Sequence, residues 1–250
     1  MAMKNSKKNI NFAHSKQIIM SGNNNNSDTL NKITKDRNRT NILKKYEQRF
    51  LAYLVQRVPS WISSNMLTSI GLAGSIITSG SFILAVYFQK EWLLIGVLGF
   101  IINWFGDSLD GRLAYYRNRP RKWYGFSLDC IVDWLSNILI GLGYIIYSGG
   151  QNGEIIGFGF VVFYGWAMMI ALLRYKINNQ YIIDSGIIGP TEVRILLCLV
   201  LILEVISPGT IIYSGIIACL VLLIFNIKDF RQLLKIADMR DKEEKEEKVK

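Results

Sequence analysis

The chain has 250 residues and a formal net charge of +10, from 29 Lys and Arg against 19 Asp and Glu. Half of its residues are hydrophobic, only 19% are charged, and the mean hydropathy is +0.23. That composition excludes a disordered polymer and a disulfide scaffold, and it is too apolar for an ordinary water-soluble globule.

Residues 1–42 are polar and include the run Asn23-Asn24-Asn25-Asn26, so they read as a disordered arm with too few apolar side chains to build a core. The pattern changes over 43–58. Leu43, Tyr46, Phe50, Tyr53 and Leu54 recur at helical spacing, while Lys44, Lys45, Gln48, Arg49 and Gln56 fall elsewhere. This predicts an amphipathic helix with a basic face, suited to lie on an anionic membrane surface. Residues 59–228 hold six apolar stretches, roughly 66–88, 92–108, 126–148, 155–174, 193–207 and 210–227. Backbone amides in lipid must be bonded internally, so each stretch predicts a transmembrane helix. The second and fifth fall short of the ~20 residues a bilayer demands, so helix must continue there into polar flanks. Residues 229–250 are charged and read as a cytosolic tail. The fold class is therefore all-α: a polytopic membrane protein of about six transmembrane helices plus an N-terminal amphipathic interfacial helix.

Lys and Arg gather on one side of this layout. Arg112, Arg117, Arg119, Arg121 and Lys122 follow the second span, and Arg174, Lys176 and Arg194 flank the connection after the fourth. The opposite connections, around 89–91, 148–154 and 207–209, are nearly bare of them. Positive charge stays inside, so both termini and the basic loops are expected in the cytosol. Topology then accounts for the basic balance, and no nucleic-acid partner is needed.

Cys130, Cys198 and Cys219 lie scattered in apolar context and form no disulfide framework. His14 is the only histidine and lies in the polar arm, which excludes His-based acid–base catalysis and any multi-His metal site. Trp61, Trp92, Trp104, Trp123 and Tyr124 read as interfacial aromatic belts.

The chemistry lies where polar residues interrupt the spans. Asp107, Asp110, Gly111 and Ala114 stand at i, i+3, i+4 and i+7, on one helix face. Gly125, Asp129 and Asp133 stand at i, i+4 and i+8, again on one face. The short loop between makes the two helices antiparallel neighbours, so four aspartates face each other at the membrane edge. A carboxylate at the bilayer centre costs about 2.5–3.5 kcal/mol, less near the surface, and four together repel. They require cations, and hard oxygen ligands select Mg²⁺, Mn²⁺ or Ca²⁺. Such a cluster suits two ions roughly 3.5–4 Å apart, as used in phosphoryl transfer. The cation pathway of a transporter is the other chemistry this pattern allows.

The two stripes together, Asp107-x-x-Asp110-Gly111-x-x-Ala114 followed by Gly125-x-x-x-Asp129-x-x-x-Asp133, resemble the signature of the CDP-alcohol phosphatidyltransferase family. The six-span layout and Asn65-Met66-Leu67-Thr68 at the start of the first span are also similar to that family. The resemblance implies a membrane enzyme of phospholipid synthesis that transfers a substituted phosphoryl group from a CDP-alcohol to an acceptor hydroxyl and releases CMP. It implies Mg²⁺ or Mn²⁺, two ions, and a homodimer. Carried over by position, Asp107, Asp110, Asp129 and Asp133 are metal ligands, and Asp133 is also the general base. Asp107, Asp110, Gly111, Ala114 and Gly125 line the CDP pocket.

One position departs. The family has Arg directly after the Ala, where this chain has Tyr115. Arg112 or Arg117 is expected to supply the missing guanidinium to the diphosphate, and without one the site would be impaired. Arg121, within Arg119-Pro120-Arg121-Lys122-Trp123-Tyr124, is a candidate for headgroup or substrate phosphate, with topology as the other reading. Gly189-Pro190-Thr191-Glu192 predicts a helix start capped by Thr191. Arg194 then lies at the depth of the aspartates, as a contact for an acceptor phosphate or as a snorkelling anchor.

Overall fold

The structure, a computed structural model, describes Thr29 and residues 44–178 and 189–249. The arm read over 1–42 lies outside these residues, apart from Thr29. The described residues from Lys44 onward form α1 Lys44–Val55, α2 Ser64–Tyr87, α3 Leu93–Tyr116, α4 Lys122–Ser148, α5 Gly150–Asn178, α6 Pro190–Ile206 and α7 Thr210–Val249. A short 3-10 turn, Lys90–Trp92, leads into α3. No strand occurs among the described residues.

Among the described residues, five segments are long and apolar enough to cross a membrane: Ser64–Tyr87, Lys90–Tyr116, Lys122–Ser148, Gly150–Ile177 and Thr210–Glu247. The second span therefore does continue beyond its apolar part, carrying helix through the whole Asp107–Ala114 stripe. The fifth expected span falls on α6, whose 17 residues rise only about 25 Å. The helix of the last expected span, α7, runs on past residue 227 through the charged tail.

Local sequence sets these boundaries. Ser63 caps α2 by accepting the Met66 amide at 3.2 Å. α3 ends on Asn118, at φ 55°. There the Asn118 and Arg119 amides bond back to Tyr115 and Ala114 at 3.0 and 2.9 Å. This double closure satisfies carbonyls that a helix end leaves open, and asparagine tolerates the left-handed backbone it needs. α6 starts with Gly189 as cap and Pro190 as first residue, so the cap stands two residues before the one expected at Thr191. Glu192 Oε2 accepts the Gly189 amide at 3.1 Å, and proline's missing N–H costs nothing at that place.

α2 and α3 cross closely because glycines line the crossing. A Cβ on Gly106 would collide with the Gly71 amide nitrogen and the Leu67 carbonyl, and one on Gly74 with Gly99 and Asn103 backbone. Asn103 Nδ2 spans the same crossing, donating to the Gly71 carbonyl at 3.1 Å and Ser75 Oγ at 3.0 Å. Buried polar groups so paired fix the register of α3 against α2.

α5 and α7 run parallel with a constant offset. Cys219 Sγ donates to the Ile156 carbonyl and Asn226 Nδ2 to the Phe163 carbonyl, both 63 residues away. Arg240 Nη1 bonds Ile177, again 63 away, and Ile170 and Leu233 are buried at the heptad step between. Contacts every seven residues are the seam of a left-handed helix pair.

α1 lies across the basic end of the bundle. Its Leu51, Ala52 and Val55 close on Leu67, Leu109 and Leu113 of α2 and α3, while Tyr46, Phe50 and Tyr53 stay exposed. Trp104 is not part of an exposed belt: it stacks on Phe50 of α1 at 6.1 Å. Trp61, Trp92, Trp123 and Tyr124 are exposed.

Candidate active site

α3 delivers Asp107 and α4 delivers Asp129 and Asp133 to one point at the basic end of the bundle. One carboxylate oxygen from each lies within 4.8 Å of the other two. Three anions so close are stable only beside positive charge. α6 supplies some: Arg194 Nη2 sits 2.6 Å from Asp107 Oδ2. That distance marks a charge-assisted hydrogen bond. The phenol of Tyr164 on α5 stands within electrostatic reach of Asp133, Arg194, Asp107 and Asp129. Four helices thus meet at the aspartates.

Four carboxylates were expected here, and the group contains three. Asp110 lies one turn further along α3 and is 6% exposed. Its Oδ2 accepts from Thr68 Oγ1 at 2.7 Å, its Oδ1 takes the Gly111 amide, and its carbonyl accepts Ser64 Oγ at 2.6 Å. The close α2–α3 crossing brings these hydroxyls within reach. Asp110 is thereby anchored to α2, next to the cluster and outside the group of three.

The small residues leave room on the same side. A Cβ on Gly125 would meet nothing within 4 Å, so α4 presents open space one turn before Asp129. Gly111 and Ala114 are half-buried.

The basic residues expected at the diphosphate are engaged elsewhere. Arg112 donates to the Ser108 carbonyl and pairs with Glu47 of α1. At 100° per residue it lies roughly 160° around α3 from Asp110, so it is on the flank away from the aspartate stripe. Arg117 donates to the carbonyls of Ile62 and, at 2.8 Å, Pro59, which fastens the α1–α2 connection to the end of α3. Arg121 donates to Asn65 Oδ1 at 2.6 Å and lies 4.1 Å over the Tyr124 ring. Asn65 in turn reaches the Tyr124 hydroxyl at 3.2 Å. This small network ties the start of α2 to the start of α4.

Three contributors escaped the sequence reading. Tyr164 is one aromatic among many in an apolar span and carries no pattern of its own. Ser64 acts through a hydroxyl whose partner is set by the crossing. Glu47 did leave a trace, as the lone acid in a basic amphipathic helix.

The three clustered oxygens suit a hard divalent cation by ligand type, and their mutual distances let a single ion be shared. Comparison with known proteins agrees with the motif. A cholinephosphotransferase 1 from Danio rerio is 26% identical over 156 residues, which cover 59% of this chain and 39% of that relative's length. The sequence model of CDP-alcohol phosphatidyltransferase matches residues 61–227, a stretch that contains α2 through the membrane part of α7 and every clustered aspartate, so the chain belongs to the CDP-alcohol phosphatidyltransferase family.

Proposed function

We propose that this chain transfers the substituted phosphoryl group of a CDP-alcohol to an acceptor hydroxyl and releases CMP, in phospholipid synthesis. The observation that carries the reading is the convergence of Asp107, Asp129 and Asp133 within 4.8 Å, inside a chain of this family. These three would hold Mg²⁺ or Mn²⁺, and Asp110, anchored by Thr68, completes the acidic wall and is the candidate fourth ligand of a two-ion site. Such cations, when bound, would supply the positive charge that a diphosphate and its transfer call for.

The chain's own residues do the rest. Asp133 is the general base: it takes the proton of the acceptor hydroxyl as that oxygen bonds to the phosphorus beside the alcohol. The bond from this phosphorus to the bridging oxygen breaks, and CMP departs with the electron pair. Open space at Gly125, with Gly111 and Ala114, admits the nucleotide. Arg194 offers its guanidinium to an anionic substrate group from the edge of the cluster. The site and both termini face the cytosol, where soluble CMP is released while the lipid stays in the bilayer.

The likeness to a cholinephosphotransferase puts CDP-choline among the first donors to test. Detergent-purified protein with Mg²⁺ is given CDP-choline or CDP-ethanolamine with diacylglycerol, or CDP-diacylglycerol with a pool of alcohols, each beside Asp133→Asn. CMP release by the wild type alone, in one mixture, names the donor class. No release in any mixture, together with cation flux across sealed vesicles, would replace the enzyme by a transporter.

A further inference from the structure

Arg112 sits inside the signature stripe, between Gly111 and Ala114, yet faces away from it. Its side chain is 2% exposed, and its Nη2 stands 3.9 Å from Oε1 of Glu47, whose side chain is 4% exposed. Apolar side chains pack beside this pair. Leu51, Ala52 and Val55 of α1 close on Leu109 and Leu113 of α3. Phe50 stacks on Trp104 with the rings 14° from parallel.

Apolar contacts alone define a surface poorly, since one aliphatic face slides and rotates on another at little cost. A desolvated ion pair adds little net stability over well-matched apolar residues, but it disfavours arrangements that separate its charges. Here the pair joins the interfacial helix to the turn of α3 that carries Asp107, Asp110 and Gly111. Any rotation of that turn would pull Arg112 from Glu47 and separate two buried charges.

We propose that Glu47 and Arg112 are a positioning pair: from α1, outside the cluster itself, they fix the rotation of the α3 turn that presents Asp107 and Asp110. Its consequence for metal rests on the reading of those aspartates as ligands. α1, whose exposed face carries Tyr46, Phe50 and Tyr53, thereby serves as a brace between membrane surface and site.

The test uses the full chain in nanodiscs of phosphatidylcholine with phosphatidylglycerol, with no nucleotide present. Wild type is compared with Glu47→Gln, Arg112→Gln, and the reversed pair Glu47→Arg/Arg112→Glu. Bound Mn²⁺ is counted by electron paramagnetic resonance, and amide exchange over residues 107–113 is followed without metal. Each single variant is expected to weaken Mn²⁺ binding at least fivefold and to speed exchange of that turn. The reversed pair should recover both to within twofold. Single variants with wild-type exchange overturn the proposal, as does a reversed pair no better than either single. Should Arg112→Gln fail to fold, Glu47→Gln and the reversed pair still decide. Wild type that binds Mn²⁺ yet releases no CMP from any CDP-alcohol would break the functional reading and leave the pair standing. Wild type that binds no Mn²⁺ would break the ligand assignment, and exchange alone would then judge the pair.

Discussion

The two ends of the helical bundle treat carboxylates in opposite ways. At the end remote from the basic loops, Glu204 of α6 is 3% exposed and has donors on both oxygens. Oε1 takes the Tyr147 hydroxyl at 3.0 Å and the Gly209 amide at 2.9 Å, and Oε2 takes Thr210 Oγ1 at 3.1 Å and the Ile211 amide at 2.8 Å. That carboxylate caps the start of α7 from a neighbouring helix, where open amides and the helix dipole favour an anion. At the basic end, three carboxylates share one neighbourhood with Arg194. One acid surrounded by four donors holds helices together. Three acids gathered together oppose folding by repulsion and gain their use from what they bind. The same residue chemistry serves architecture at one end and, on the proposed reading, reaction at the other.

Mutation should separate these roles. Asp133→Asn is expected to lower CMP release at least a thousandfold, since the proton acceptor is gone. Its thermal midpoint in nanodiscs without metal should be no lower than wild type, because a like charge has left the cluster. Full activity in this variant would remove Asp133 as base. Glu204→Ala should do the reverse. It leaves buried donors unmatched and costs about 3 kcal/mol, read as a lower midpoint, while activity per folded molecule stays near wild type. An activity loss at Glu204 larger than the loss of folded protein would show that the two ends are coupled.

The ends also differed in how much the sequence disclosed. Asp107, Asp110, Asp129 and Asp133 stand out because ionisable residues inside apolar stretches are costly, and their spacing alone places them on two helix faces. Glu204 reads only as a polar residue near a turn. Its four partners lie on α4, in the turn and on α7, and only the folded chain brings them together. The direction of Arg112 was open to helix arithmetic, since its azimuth already separates it from Asp110. Its partner was not, because docking of α1 depends on the α2–α3 crossing and on Leu109 and Leu113 lying outward. The parallel α5–α7 seam was likewise hidden, since two uniformly apolar helices show no heptad until their offset is known.

Metal sharpens the contrast next. With Mg²⁺ or Mn²⁺ at a hundred times its dissociation constant, binding to the folded state should stabilise it by about 2.7 kcal/mol. The rise in thermal midpoint should persist in Glu204→Ala and vanish in the double variant Asp107→Asn/Asp129→Asn. Chelation should stop CMP release in every active variant. A midpoint that ignores divalent metal would take the ligand role from the three aspartates.

The smallest expected effect tests whether Asp110 belongs to the architecture or to the reaction. Its Oδ2 holds Thr68 Oγ1 at 2.7 Å, a contact of the kind that surrounds Glu204, yet Asp110 stands one turn from Asp107 of the clustered aspartates. Thr68→Val keeps the shape of the side chain and removes the donor, so the loss of one hydrogen bond to a charged group should cost about 1.5 kcal/mol. If Thr68 only secures α2 to α3, the midpoint falls by that amount and metal affinity stays put. If it orients Asp110 as a ligand, Mn²⁺ affinity falls severalfold as well, because a carboxylate freed to rotate must be ordered again on binding. We expect the second result, because Asp110 stands one turn from Asp107 on α3 and Thr68 holds its Oδ2 in place beside the clustered carboxylates.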